Sequence, residues 1–573
     1  MAEAAVMTDS LETLRRERVL PSSILARTRV ADALKSRLHL RESAAHRRCI
    51  HPDSLGVKRF SAPAQEMDAL DTFITPELPC VSFQWTNGPL QSPGEHGALC
   101  SHPEQAEGED PMKENSSTYG KRVRTGSRTP PLAPGHLPGV GHLPALLRDP
   151  IGFMSRLSTG PDLVTLRLGP RTMYVVNSLE LLHSMLTTRA EEFTQGVVFQ
   201  KAQKVLGQGI IVSDGALHRT QRKLVQPALR RVQTEKYTEA MVAAAEAFAE
   251  SRVEHQPFDV VFEMHGVGLD ILCTALYGGG LSVETADQVK RATPDVMTGI
   301  VAQALYPARW MEKVPIPVNR RFDSALPRLK NAVEEIITRH RARADDAGPT
   351  GLQMLMDATD PETGRPMSDS QLQDEVINLI VAGTEAVGTM LAWFFHEIAV
   401  NPDIQQRMVT EIDEVIGDGP LTVENLGRLR FTRAVLNETL RRHTPTWLLT
   451  RKATEESELG DHLIPKDGEV VFSLTVLHRD PDLFDQPMRF DPDRWLDGRT
   501  ADLPKHAFIP FVVGKRKCLG DHFAQHAMLV AAVVMVRRWR LVHAEGGGRD
   551  VRERALALVI PAGLTMYPEK QSR

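Results

Sequence analysis

The chain has 573 residues, 42% of them apolar, and a net charge of -5. That length can bury one large core or several smaller ones, and the slightly acidic balance excludes a chain-wide electrostatic footprint for nucleic acid. Five cysteines (Cys49, Cys80, Cys100, Cys273, Cys518), at spacings that match neither a zinc site nor a disulfide framework, fit a reducing compartment and leave Cys518 unpaired.

No run of 18 or more apolar residues occurs, so no membrane span is expected. The first fifty residues are Arg-rich in the manner of a transit peptide, but Asp9, Glu12 and Glu17 oppose that reading, and the expected location is the cytoplasm. Up to residue 127 apolar periodicity is patchy. The stretch QSPGEHGALCSHPEQAEGEDPMKENSSTYGKRVRTGSR is too polar to offset chain entropy, so residues 1–127 are expected to form a disordered extension. The proline-rich RTPPLAPGHLPGVGHLPALLRDP (128–150) reads as a stiff lead-in to a folded domain over 128–573.

LVTLRLGPRTMYVV (163–176) alternates about Gly169 and Pro170 and predicts a hairpin. Helical periodicity then dominates, in SLELLHSML, HRTQRKLVQPALRRV, EAMVAAAEAFAESR, FEMHGVGLDILCTALYG, LKNAVEEIITRHRARA, DEVINLIVAGTEAVGTMLAWFFHEIAV, QQRMVTEIDEVI and FTRAVLNETLRRH. Short strands are predicted at GEVVFSLTV (468–476) and ALALVIPAG (555–563), and no internal repeat is present. The expected fold class is mainly α with a minor β region.

The decapeptide FVVGKRKCLG (511–520) carries the chemistry. A thiolate serves as nucleophile or metal ligand when its pKa is lowered, and Cys518 has adjacent cations and a following helix to lower it. Gly514 and Gly520 leave room for a tight turn or a flat group, and Phe511 offers a ring to pack against one. Taken alone, a single cysteine is more often a small core hydrophobe.

Phe511, Gly514, Arg516, Cys518 and Gly520 resemble the haem-binding pattern F-x-x-G-x-R-x-C-x-G of the cytochrome P450 family, in which the cysteine is the proximal iron ligand. Val512 departs from the small or polar residue usual there. The resemblance implies haem b (iron protoporphyrin IX) as cofactor and Cys518 as its metal ligand. It extends to ETLR, whose Glu438 and Arg441 resemble the family's E-x-x-R pair, and to RFDPDRW, whose Arg494 would complete a buried structural network. HRTQR would place His218 and Arg222, and the strand further on Arg451, against the haem propionates.

AGTEAV (382–387) resembles the family's distal A-G-x-[DE]-T-[TS], with Gly383 giving room, Glu385 supplying the acid and Ala386 standing where threonine is expected. In the family that hydroxyl helps deliver the protons that cleave dioxygen. Three explanations stay open: a substrate hydroxyl or ordered water stands in, Thr389 one turn on helps, or the reaction is less proton-demanding, such as oxidative coupling or peroxide use.

Cavity-lining segments are expected at TQGVVFQK (194–201), Ala382–Ala386, TPTWLL (444–449) and VIPAGL (559–564), all largely apolar. The resemblance to soluble bacterial members that oxidise cyclic terpenes implies a small apolar substrate, a terpene first and a polyketide second, oxidised with O2 by a monooxygenase. It also implies a separate ferredoxin and ferredoxin reductase, which Lys223, Arg230, Arg231, Lys515, Lys517, Arg537 and Arg538 would steer as a basic face. The alternative is a haem-binding protein without oxygenase turnover.

Overall fold

The computed structural model describes residues 128–571, apart from 307, 343–349, 361 and 545–550. The expectation of a disordered extension over 1–127 lies outside the described residues.

Six helices shape the interior: α1 (Val197–Leu206), α2 (Gly215–Leu229), α3 (Val260–Tyr277), α4 (Asp369–Val400), α5 (Arg430–Arg442) and α6 (Asp521–Arg538). Helix α4 spans 32 residues. It is apolar on nearly every side, a pattern stable only where other elements surround it. Ser368 caps it by accepting from the Gln371 amide, which starts the helix five residues before the predicted Asp374.

Helices α3 and α4 have the length and apolarity of membrane-crossing segments, yet their apolar windows are 67% and 78% buried inside the protein. They are core helices. They cross closely at two glycines on opposite partners: a Cβ on Gly268 would lie 2.9 Å from the Thr384 carbonyl, and one on Gly388 would lie 2.6 Å from His265 Cα. Only hydrogen side chains allow that approach.

A five-stranded sheet flanks this core. Its strands are β1 (Leu163–Leu168), β2 (Arg171–Val176), β3 (Phe193–Gln195), β4 (Leu448–Ala453) and β5 (Glu469–Ser473), in the order β1-β2-β5-β4-β3. The β1–β2 hairpin turns at Gly169 and Pro170 as its sequence predicts. The antiparallel β3–β4 register sets Gln195 beside Arg451. A smaller sheet joins Phe258–Asp259, Thr565–Lys570 and Trp539–His543.

Some predicted elements differ. The 468–476 strand stops at Ser473, whose hydroxyl caps a short helix, Leu474–His478. The 555–563 strand is instead the second arm of a pair, Arg552–Ala555 with Val559–Ala562. A 23-residue helix at Val283–Leu305 has no counterpart in the sequence reading. Pro294 interrupts its pattern, and packing of Val289, Ala292, Val296 and Ile300 overrides it.

The expected Glu438–Arg441–Arg494 network is present and buried throughout. Arg441 donates to Glu438 at 2.8 and 2.9 Å, Arg494 Nε at 3.1 Å, and the Trp495 indole and Asp491 amide each at 3.0 Å. Arg441 also donates to the carbonyls of His478 and Pro487. A carboxylate with four separate donor groups is fully paired, so its removal would leave two guanidiniums buried without a counter-charge.

Glu438→Ala is expected to destabilise the fold by about 3–5 kcal/mol, read as a lowered urea midpoint with unchanged slope. Glu438→Gln should fall between the two.

Candidate active site

The Cys518 loop is positioned from the buried network outward. The His478 ring is buried, and burial together with Arg441 and Arg479 pulls its pKa down to about 3. Its Nε2 accepts from the Ile509 amide at 3.0 Å, so the proton sits on Nδ1, which meets Thr444 Oγ1 at 2.6 Å. Trp495, bonded to Glu438, packs its ring 4.5 Å from that of Phe508. Residues 508 and 509 are thereby fixed two positions ahead of Phe511. Sequence reasoning gave no role to His478, which lies in no recognisable motif.

The loop then folds back on itself: the Cys518 amide donates to the Phe511 carbonyl at 2.9 Å. Gly514 has φ +76°, and a Cβ there would collide with the Leu186 carbonyl, so glycine is required twice over. Val512 adopts φ +59°, a left-handed conformation that a β-branched side chain rarely takes. The departure from a small residue at 512 therefore stores strain in the turn, of about 1–3 kcal/mol by the usual cost of such backbones.

Cys518 is solvent-exposed and lines a cavity of about 320 Å³ within the fold. Contrary to the expectation of a lowered pKa, burial pushes its thiol up to about 11. The Gly520 amide, Arg222 and Lys517 oppose this only in part, because Asp521 adds a like charge and pairs with Lys517 at 2.6 Å. The protein alone keeps the sulfur protonated; a bound cation is what would make it a thiolate.

One end of the cavity is cationic. His218, Arg222, Arg451 and Arg516 all line it. Arg516 pairs with Asp214 through one nitrogen, while its Nη1 is buried without a partner among the described residues. Arg451 donates to Gln195 Oε1 at 3.0 Å and to the Thr450 carbonyl, and burial with Arg516 nearby lowers its pKa to about 10. Arg222 ties α2 to the loop through the Lys515 and Lys517 carbonyls at 3.3 and 3.0 Å. Burial, with Arg516, Arg222 and Arg219 nearby, holds the His218 pKa at about 4, so it is neutral near pH 7. One buried and two half-buried guanidiniums, with Asp214 paired to one of them, fit a ligand that brings its own anions.

Helix α4 supplies a further part of the lining. Ala382, Gly383 and Ala386 line the cavity, as do Gln195, Phe199, Pro445, Thr446 and Leu449 from the other predicted segments. VIPAGL does not reach it: Val559 instead accepts from the Trp393 indole through its carbonyl. Thr389 does not line the cavity; its hydroxyl lies 3.1 Å from His265 Nε2 on α3. Glu385 also lies off the cavity lining, fully buried, with burial raising its pKa to about 8 and its Oε1 without a partner among the described residues. Asn378, Ile210, Ile211, Leu272 and Leu276 line the cavity without having been singled out by sequence. A cavity lined by Cys518, by small α4 residues and by His218, Arg222, Arg451 and Arg516 suits a haem and its propionates.

The expected basic face is mostly neutralised. Lys515 pairs with Glu191, Lys223 with Glu362, Arg231 with Glu235 and Arg538 with Glu250, while Arg537 donates to the carbonyls of Gly417 and Gly419. Local pairing leaves little net field to steer an acidic partner.

Residues 130–567 match the family model described as Cytochrome P450. The chain is 36% identical to cyclooctatin synthase of Streptomyces melanosporofaciens, over 76% of this chain and 95% of that protein. It is 36% identical to cyclooctat-9-en-7-ol 5-monooxygenase of the same organism (71% and 89%) and 35% identical to pentalenene oxygenase of Streptomyces avermitilis (74% and 94%).

Gly514→Ala is expected to displace the loop and lose roughly 1–3 kcal/mol of stability from backbone strain alone, with the steric clash adding to it. Thermal unfolding measures the loss, and a weakened grip on the cofactor should accompany it.

Proposed function

The chain belongs to the cytochrome P450 family, whose members are haem-iron monooxygenases, and from this premise we propose that it inserts one oxygen atom of O2 into a cyclic terpene. The observation that carries the reading is a single cavity lined by Cys518, by Ala382, Gly383 and Ala386 of α4 and by Arg222, Arg451 and Arg516. Residues 128–573 would be the catalytic domain, working in the cytoplasm. The relatives' names give pentalenene and cyclooctat-9-en-7-ol as what those proteins oxidise. The lining that this chain offers a substrate, with Phe199, Ile210, Leu272, Leu276 and Met390, is apolar and suits a molecule of that class. Relatives named oxygenase and monooxygenase favour turnover over a haem-binding role without it.

Haem b, bound there, supplies the activation of dioxygen. Cys518 Sγ would hold the iron, and Arg222, Arg451, Arg516 and neutral His218 would hold the propionates, the otherwise unpartnered Arg516 Nη1 gaining an acceptor. Phe511, Gly514 and Gly520 would shape the loop beneath the ring. Glu385, protonated near neutral pH, would store the proton. Ala386 has no hydroxyl to pass it on, and Thr389 is committed to His265, so a substrate hydroxyl or an ordered water would complete the path. Electrons come from a separate donor, for which we propose a ferredoxin and its reductase, docking on a charge-balanced face.

Three outcomes test this. Cys518→Ser should abolish the thiolate-type carbon monoxide band while leaving the far-ultraviolet circular dichroism unchanged; an unaltered band would overturn the assignment. Titration with a panel of cyclic terpenes should shift the spin state for at least one of them and not for linear fatty acids. Turnover should be lost as pH rises through about 8, where Glu385 would ionise, and Glu385→Gln should be slow at every pH without that inflection.

A further inference from the structure

Most of the cavity is walled by helix and strand. The segment between α1 and α2 is different: it places Ile210 and Ile211 in the cavity while Gln208, two residues earlier, is exposed to solvent. Along the chain, only Gly209 separates an exposed residue from a cavity-lining one.

What holds this segment is one face of α4. An Asp374 carboxylate oxygen accepts from the Gln208 amide at 2.8 Å, Glu375 Oε2 from the Ile210 amide at 3.1 Å and Asn378 Oδ1 from the Ile211 amide at 3.1 Å. Asn378 Nδ2 returns a bond to the Leu206 carbonyl at 2.8 Å. Residues 374, 375 and 378 are neighbours on that face, with Glu375 and Asn378 fully buried. Two glycines let the backbone lie flat on the helix: a Cβ on Gly207, at φ +57°, would collide with Asp374, and one on Gly209 with the Asn378 amide. From the cationic end, Gln195 Nε2 donates to the Ile211 carbonyl at 2.9 Å while its Oε1 accepts from Arg451.

A wall bonded by side chains, without a ladder, opens at the cost of those bonds, of the Gln221 contacts to Gln208 and Ser213 from α2 and of the burial of Ile210 and Val212, without unravelling a helix or sheet. We propose that Asp374, Glu375 and Asn378 form a latch that holds residues 206–213 closed on α4, and that its release admits ligand past Ile210 and Ile211. The inference rests on the monooxygenase reading only in taking this cavity as the substrate site. The three residues are positioning residues; none is assigned a part in the chemistry.

The test uses the full chain loaded with haem and two readouts: amide hydrogen exchange of peptides covering 206–213, and stopped-flow binding of 4-phenylimidazole followed by the Soret shift. Asn378→Ala, which removes two bonds to the segment, is expected to speed exchange in those peptides about tenfold or more and to raise both association and dissociation rates severalfold, with any change in Kd reflecting its place in the cavity lining. Exchange in α5 should not move. Asp374→Ala, at a half-buried position, should do the same to a lesser degree and serves if the Asn378 variant does not fold. Unchanged exchange at 206–213, or faster exchange with unaltered ligand rates, would overturn the latch. A wild-type protein without any Soret shift would count against the monooxygenase reading, and the exchange measurement alone would then decide the latch.

Discussion

A fully buried carboxylate, Glu438, shared by two guanidiniums, an indole and a backbone amide, is the contact from which the functional half of the molecule is laid out. Its geometry passes to His478 through Arg441 and to Phe508 through Trp495, and from there to the loop that presents Cys518. Each step is a directional bond in a dry setting, where an unmade bond is costly, so the loop has little freedom to relocate its sulfur. The strain at Val512 is tolerable for the same reason: the surroundings over-determine the turn.

Burial decides the electrostatics as well. It raises the Cys518 thiol and the Glu385 carboxyl and lowers His218, so all three groups are neutral near pH 7. Arg222, Arg451 and Arg516 line the same cavity as Cys518. An iron porphyrin would bring a cation for the sulfur and carboxylates for these guanidiniums.

Helix α4 serves three purposes. Gly388 and the backbone at Thr384 sit against α3; Ala382, Gly383 and Ala386 border the cavity; and, nearer the helix start, Asp374, Glu375 and Asn378 bond the segment that covers it, Asn378 also lining the cavity. Thr389 belongs to the α3 side through its contact with His265 and is not part of the cavity lining.

The sequence by itself determined the Cys518 loop, the Glu438 network and the mainly helical class, because each rests on local spacing: five fixed positions in FVVGKRKCLG, the three-residue step of ETLR, and apolar repeats at helical period. Tertiary structure alone decided the rest. Whether Cys518 is acidic depended on how much protein surrounds it, whether the lysines and arginines form a field depended on acids distant in sequence such as Glu191 and Glu362, and whether VIPAGL lines the cavity depended on Trp393 claiming its backbone. Burial, charge pairing and wall formation are sums over residues far apart along the chain, and no local pattern encodes a sum of that kind.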